Sequence, residues 1–159
     1  EDIRKIGLDK YRRKNVALIF QNFNLINYMV AVENVILAMS ISGETNKVDK
    51  KEAYNYLEQV GLDRKKSNRF VTRLSGGEQQ RVAIARAIST NVEVIVADEP
   101  TGNLDGKTSE TIIELFKELA HQRDKCVIMV THSEKIAEQS DVILKLNTDT
   151  QNFEIKTNR

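Results

Sequence analysis

Two kinds of apolar pattern alternate along the chain. Val16–Phe20, Val92–Ala97, Val127–Val130 and Val142–Leu146 are short runs, apolar at successive positions and rich in β-branched residues. Such runs predict strands buried on both faces of a sheet. Elsewhere apolar residues return every three or four positions. In Lys50–Val60, Ala53, Tyr56, Leu57 and Val60 share one helical face, with Asp49 placed to cap the start and Gly61 to end the helix. Thr108–His121 does the same with Ile112, Leu115, Phe116 and Leu119. Strands alternating with helices predict an α/β fold, a mainly parallel sheet flanked by helices. From Ala31 to about Ser89 helix follows helix without a strand, which predicts a helical subdomain (31–89) inserted into a core formed by 1–30 and 90–159. The tail after Thr148 is polar, with an edge strand expected at Phe153–Ile155.

A length of 159 residues is enough for one domain with a real core. With 40% hydrophobic and 30% charged residues and a single proline, the chain is neither a disordered tail nor a collagen-like or mucin-like repeat. Its 24 Lys+Arg against 23 Asp+Glu leave a net charge of +1, which argues against a protein built to grip nucleic acid. No run approaches the roughly 20 apolar residues that cross a bilayer. The opening Glu1-Asp2-Ile3-Arg4-Lys5 has no apolar stretch of the signal-peptide kind. Cys126, the one cysteine, has no partner for an internal disulfide.

Chemistry gathers where the apolar runs end. Phe20 is followed by Gln21, Ala97 by Asp98-Glu99, and Val130 by Thr131-His132. In a parallel sheet these groups emerge together at the carboxyl edge, where α/β proteins bind ligands. Adjacent carboxylates after a buried strand suit metal-assisted nucleotide hydrolysis, one facing Mg²⁺ through water and the other polarising the attacking water. Each residue alone has a plainer reading. The acid pair can simply solvate the loop before Pro100, His132 can precede an N-cap at Ser133, and Gln21 can be an ordinary amide at a strand end.

A second constellation is Leu74-Ser75-Gly76-Gly77-Glu78-Gln79-Gln80-Arg81. Ser75 and Glu78 have capping-box spacing before a helix through Val82, Ile84, Ala85 and Ile88. The box leaves the two consecutive glycines unexplained, because each is costly in a first turn. A helix start with free N–H groups and no side chains over it suits an anion.

Taken together these residues resemble the nucleotide-binding domains of ABC transporters. Ser75-Gly76-Gly77-Glu78-Gln79 resembles the family signature, with Glu78 where Gln is more usual. Val94–Glu99 resembles the Walker B strand with its catalytic glutamate, Gln21 the Q-loop, Gly102-Asn103-Leu104-Asp105 the D-loop, and His132 the switch histidine. Order and spacing agree over essentially the whole chain. Ile19–Leu25 and Ala97–Asp105 look most like the branch for lipoprotein release, macrolide export and antimicrobial-peptide export.

The resemblance implies a P-loop-NTPase-like fold and an ATPase subunit. It would lie in the cytoplasm, peripheral on the inner face of the membrane, bound to a transmembrane permease and paired head to tail with a second nucleotide-binding domain. It implies ATP and Mg²⁺, with Asp98 and Gln21 serving the metal, Glu99 as general base and His132 on the γ-phosphate. Ser75, Gly76, Gly77 and Glu78 would meet the partner's ATP, Asp105 would belong to the D-loop, and no nucleic acid is implied.

The family's Gly-x-x-x-x-Gly-Lys-Ser/Thr loop is absent from these residues. Gly102–Thr108 ends in Gly-Lys-Thr, yet it has three residues between its glycines instead of four and follows the acidic strand instead of opening the domain. Lys107-Thr108 is expected to begin a solvent-exposed helix. The aromatic residue that stacks on adenine is also missing. Glu1–Asn15 then resembles the segment leading into the Q-loop, and the chain alone is expected to be inactive, to lack a central strand and to expose apolar edges. Two competing readings follow: a non-catalytic partner donating Ser75–Gly77 in trans, and an ABC-type DNA-repair or translation ATPase. The 54 positions from Gln21 to Ser75 carry no sustained heptads, which disfavours a repair ATPase interrupted by a coiled coil.

Overall fold

The computed structural model describes residues 7–42, 49–147 and 151–158. The charged opening Glu1–Lys5, the first part of the Glu1–Asn15 lead-in and the start of the tail at Thr148 lie outside the described residues. Helix α1 (Leu8–Asn15) leads directly into strand β1 (Val16–Ile19). Strands β2 (Val94–Asp98) and β3 (Cys126–Val130) complete a parallel sheet in the order β1-β2-β3. Ile19 lies opposite Ala97, Ala97 opposite Met129, and Asp98 opposite Val130. The three strands therefore end level with one another, and their carboxyl ends form one rim.

Helices α2 (Ala31–Ser42), α3 (Lys50–Gln59), α4 (Arg64–Ser67) and α5 (Gly76–Ile88) occupy the stretch between β1 and β2, joined by a 3₁₀ turn at Val71–Arg73. The start and stop of α3 are those expected. The Asp49 carboxylate accepts from the Lys51 N–H at 2.8 Å, and Gly61 takes φ +76° just past the end. Leu57 and Ala53 are buried as predicted. Tyr54 joins them with its hydroxyl on Asn68 at 2.7 Å, while Tyr56 is only half-buried. Helix α5 packs on α2, α3 and β1, so Val82, Ile84, Ala85 and Ile88 serve both the helical insertion and the sheet. Burying each large aliphatic side chain contributes about 1.5–3 kcal/mol, which fixes α5 as a shared wall.

Helix α6 (Gly106–Gln122) lies between β2 and β3 in sequence and packs on β3. It buries Ile112, Leu115, Phe116 and Leu119, the predicted stripe, together with Ile113. It begins at Gly106, two residues before the predicted start, because Asp105 caps it.

The expectation that all four runs are buried on both faces is met by none of them: β1 and β2 bury one face (Ala17, Ile19, Ile95 and Ala97) and leave the other half-buried, and β3 and β4 are more open still. Ile128 is 50% and Val130 53% exposed, and no strand among the described residues pairs with the outer edge of β3. Strand β4 (Val142–Asn147) does not join the parallel sheet. It pairs antiparallel with β5 (Asn152–Thr157), the expected strand at Phe153–Ile155, in a separate two-stranded sheet. Leu144 on β4 is 59% exposed. A two-stranded ribbon has no third layer to cover it, which leaves these apolar side chains in water.

Candidate functional site

The level strand ends bring Gln21, Asp98, Glu99 and His132 to one rim, as read from the sequence. Gln21 sits one residue past Phe20, in a turn closed by the Phe23 N–H donating to the Phe20 carbonyl at 3.0 Å. Asp98 ends β2 with its side chain exposed.

Glu99 is the most constrained residue of the rim. Its φ of +45° is left-handed, a conformation that costs a non-glycine residue about 1 kcal/mol or more. Three hydrogen bonds hold it there. Its N–H donates to the Val130 carbonyl at 3.0 Å, its carbonyl accepts from the Gly102 N–H at 3.2 Å, and its Oε1 accepts from the His132 N–H at 2.6 Å. The acid is thereby tied to the end of β3 through main chain, and its half-buried carboxylate is oriented before any ligand arrives. The His132 ring remains 97% exposed with Nε2 3.9 Å from Glu99 Oε1, too far for a hydrogen bond. Ser133 stands at the N-cap of the short helix α7 (Glu134–Ala137) as expected. Its side chain makes no capping bond, and the Thr131 hydroxyl accepts the Ser133 N–H at 3.1 Å.

The capping box of α5 is complete. The Ser75 hydroxyl accepts from the Glu78 N–H at 3.3 Å and Glu78 Oε2 accepts from the Ser75 N–H at 2.9 Å. The two glycines differ in their surroundings. A Cβ at Gly77 would lie 3.1 Å from the Asn103 carbonyl oxygen and 3.3 Å from Leu104 Cδ2, so this glycine lets α5 close against the loop after β2. A Cβ at Gly76 would meet nothing within 4 Å. The chain gives Gly77 a packing reason and leaves the face over Gly76 open.

Asp105 follows that loop and caps α6. Its Oδ1 accepts the Thr108 N–H at 3.0 Å, and its Oδ2 accepts the Thr108 hydroxyl at 2.7 Å. These bonds, the hydroxyl's first, with a smaller contribution from the nearby Arg81, hold its carboxyl below the usual carboxylate range. Lys107 is exposed in the first turn of α6. Cys126 is a free, exposed thiol.

Residues that position the site were not legible in the sequence. Arg86 of α5 reaches back to the Phe23 and Asn24 carbonyls just after Gln21. Buried Asn34 of α2 holds the next part of that loop, accepting from the Ile26 N–H at 2.8 Å and donating to the Val30 carbonyl at 3.2 Å. Their partners are too distant, or too ordinary in type, to stand out in one sequence.

Comparison with known proteins adds the following. The family described as ABC transporter matches residues 2–102. The ABC transporter ATP-binding protein YclH of Bacillus subtilis is 47% identical over 98% of this chain and 68% of its own length. The lipoprotein-releasing system ATP-binding protein LolD of Treponema denticola is 41% identical over 88% of this chain and 62% of its own. The dimeric post-hydrolysis structure of the ATP-binding cassette MJ0796 bound to ADP and Pi superimposes with a TM-score of 0.90 at 36% identity. It covers 100% of this chain and 68% of that one. The chain thus spans about two thirds of the length of these proteins.

Proposed function

The chain belongs to the ABC transporter ATP-binding family, and from that premise we propose that it supplies the catalytic rim and the signature helix of an ATPase driving a separate membrane permease. The observation that carries this reading is the rim itself: an amide, an acid pair and an imidazole at level strand ends, beside a helix start whose first glycine is uncovered. Two such subunits would pair head to tail, each offering Ser75–Gly77 to the other's triphosphate, and the dimeric cassette MJ0796 supports that pairing. The permease partner follows from the transporter family. Similarity to LolD supports the lipoprotein-release and export branch. No helix among the described residues is long and apolar enough to cross a membrane, which fits a subunit working on a separate membrane partner.

In this reading Glu99 accepts the proton of a water whose oxygen attacks the γ-phosphorus. The bond from that phosphorus to the bridging oxygen breaks, and the electron pair leaves with ADP. The tie from His132 N–H to Glu99 Oε1 orients the carboxylate in advance, and the exposed His132 ring is free to meet the γ-phosphate. Asp98 and Gln21 fit Mg²⁺, because one exposed carboxylate and one amide oxygen suit an ion that keeps most of its waters and takes phosphate oxygens. Among the described residues no group of three His, Cys, Asp or Glu side chains could make a full protein cage. When bound, Mg²⁺ supplies charge neutralisation on the phosphates.

These residues contain no phosphate-cradling lysine loop. We therefore expect no hydrolysis from them alone, and turnover once a polypeptide carrying that loop precedes α1. The uncovered edge of β3, separate from β4, supports a further strand at that position. The same absence favours one second reading, in which the chain lends its signature to an ATP held by another subunit. Phosphate release from the chain alone, and from the chain with the loop in place, tests the proposal. No release from either would contradict it.

A further inference from the structure

Resting on the nucleotide reading above, we propose that Lys66 is a positioning residue for the triphosphate, because its ammonium cancels the charge that Glu78 brings to the helix start. Glu78 uses both carboxylate oxygens. Oε2 takes the Ser75 N–H at 2.9 Å and Oε1 takes Lys66 Nζ at 3.1 Å. Partial burial opposes its ionisation, yet the Ser75 N–H and the Lys66 ammonium together hold its carboxyl below the usual range, so it is charged. A glutamine here would complete the same capping box without charge. A glutamate places a full negative charge one residue from the Gly76–Gly77 turn, where a polyanion is to approach. The partial positive charge of a helix N-terminus, about half an elementary charge, offsets only part of it.

Lys66 comes from another element and is held for the purpose. It lies in the first turn of α4, where its N–H donates to Asp63 Oδ1 at 2.8 Å. The next residue, Ser67, is buried and donates its hydroxyl to the Asp63 carbonyl at 2.8 Å. With that backbone fixed, the side chain reaches Glu78, whose own side chain is only 15% exposed. Glu78 is thus more shielded than a typical surface carboxylate, while Lys66 remains 37% exposed, so solvent screens the pair only in part.

The test is ATP-dependent self-association of the loop-bearing subunit, measured by light scattering in a Glu99→Gln background that retains ATP. Lys66→Met is expected to weaken association about tenfold, the scale of repulsion between unit charges roughly 12 Å apart near a protein surface. Lys66→Arg should keep it. In a Glu78→Gln background Lys66→Met should change association by no more than about twofold relative to Glu78→Gln alone, since the charge to be cancelled has gone. An equal loss from Lys66→Met with and without Glu78→Gln, or no loss at all, overturns the proposal. A parent that shows no association with ATP overturns the nucleotide reading instead, and the proposal with it.

Discussion

Arg86 donates to the carbonyl oxygen of Phe23 at 2.9 Å, across 63 positions of sequence. It also reaches the carbonyl of Asn24, and both loop residues have positive φ, +60° and +46°. Burial of the guanidinium lowers its pKa without removing its charge. One side chain of the signature helix thus pins the strained turn that carries Gln21. In the proposed dimer these two parts serve different ATP molecules.

Replacing Arg86 with Ala is expected to cost about 2 kcal/mol, the worth of charged hydrogen bonds left unmade. Chemical denaturation of the chain measures this directly. Hydrogen exchange at Phe23 and Leu25 should quicken more than exchange in α6. Unchanged protection of the loop would show that the pin is incidental.

The two glycines of the signature should separate. Gly76→Ala faces open space and is expected to raise stability by up to about 1 kcal/mol through helix propensity. It should nevertheless weaken ATP-dependent association of the loop-bearing subunit, because the methyl group would stand on the face proposed to meet the nucleotide. Gly77→Ala presses on the Asn103 carbonyl and should give no such gain in thermal stability. Equal behaviour in both measurements would remove the distinction.

Most of the fold was legible because burial writes a period into the sequence. β1 and β2, the α3 caps and the α6 stripe all follow from it. The departures at β3, in burial, and at β4, in sheet membership, have the same origin. Val127–Val130 and Val142–Leu146 carry the composition of buried strands, but the described residues give β3 no outer partner and give β4 only β5. The rim residues were legible because they directly follow apolar runs. Arg86, Asn34 and Lys66 were not, since their roles depend on partners that come close only in the fold.

Acid should loosen the start of α6. The folded pKa of Asp105 lies below its unfolded value of about 3.9. Its cap therefore contributes stability above that value and loses it as pH falls through the folded one. Asp105→Asn should lower the melting temperature at pH 7 and flatten the part of the acid dependence below about pH 4. Parallel melting curves for the two proteins across that range would contradict the cap's ionic role.

His132→Ala is expected to reduce turnover of the loop-bearing subunit by about tenfold or more, with ATP affinity changed less. Its ring is 97% exposed and, at 3.9 Å from Glu99 Oε1, beyond hydrogen-bond reach of it, so melting temperature should hold. A loss confined to affinity would assign the histidine to binding.

The central claim is that the carboxylate held by His132 takes the proton from the attacking water. It is tested most directly by phosphate release from the loop-bearing subunit with Glu99→Gln, alongside ATP binding to the same protein. Release should fall by about a hundredfold or more while ATP remains bound and the subunits associate. Near-normal release from Glu99→Gln would mean that the proton goes elsewhere and that the rim has been misread.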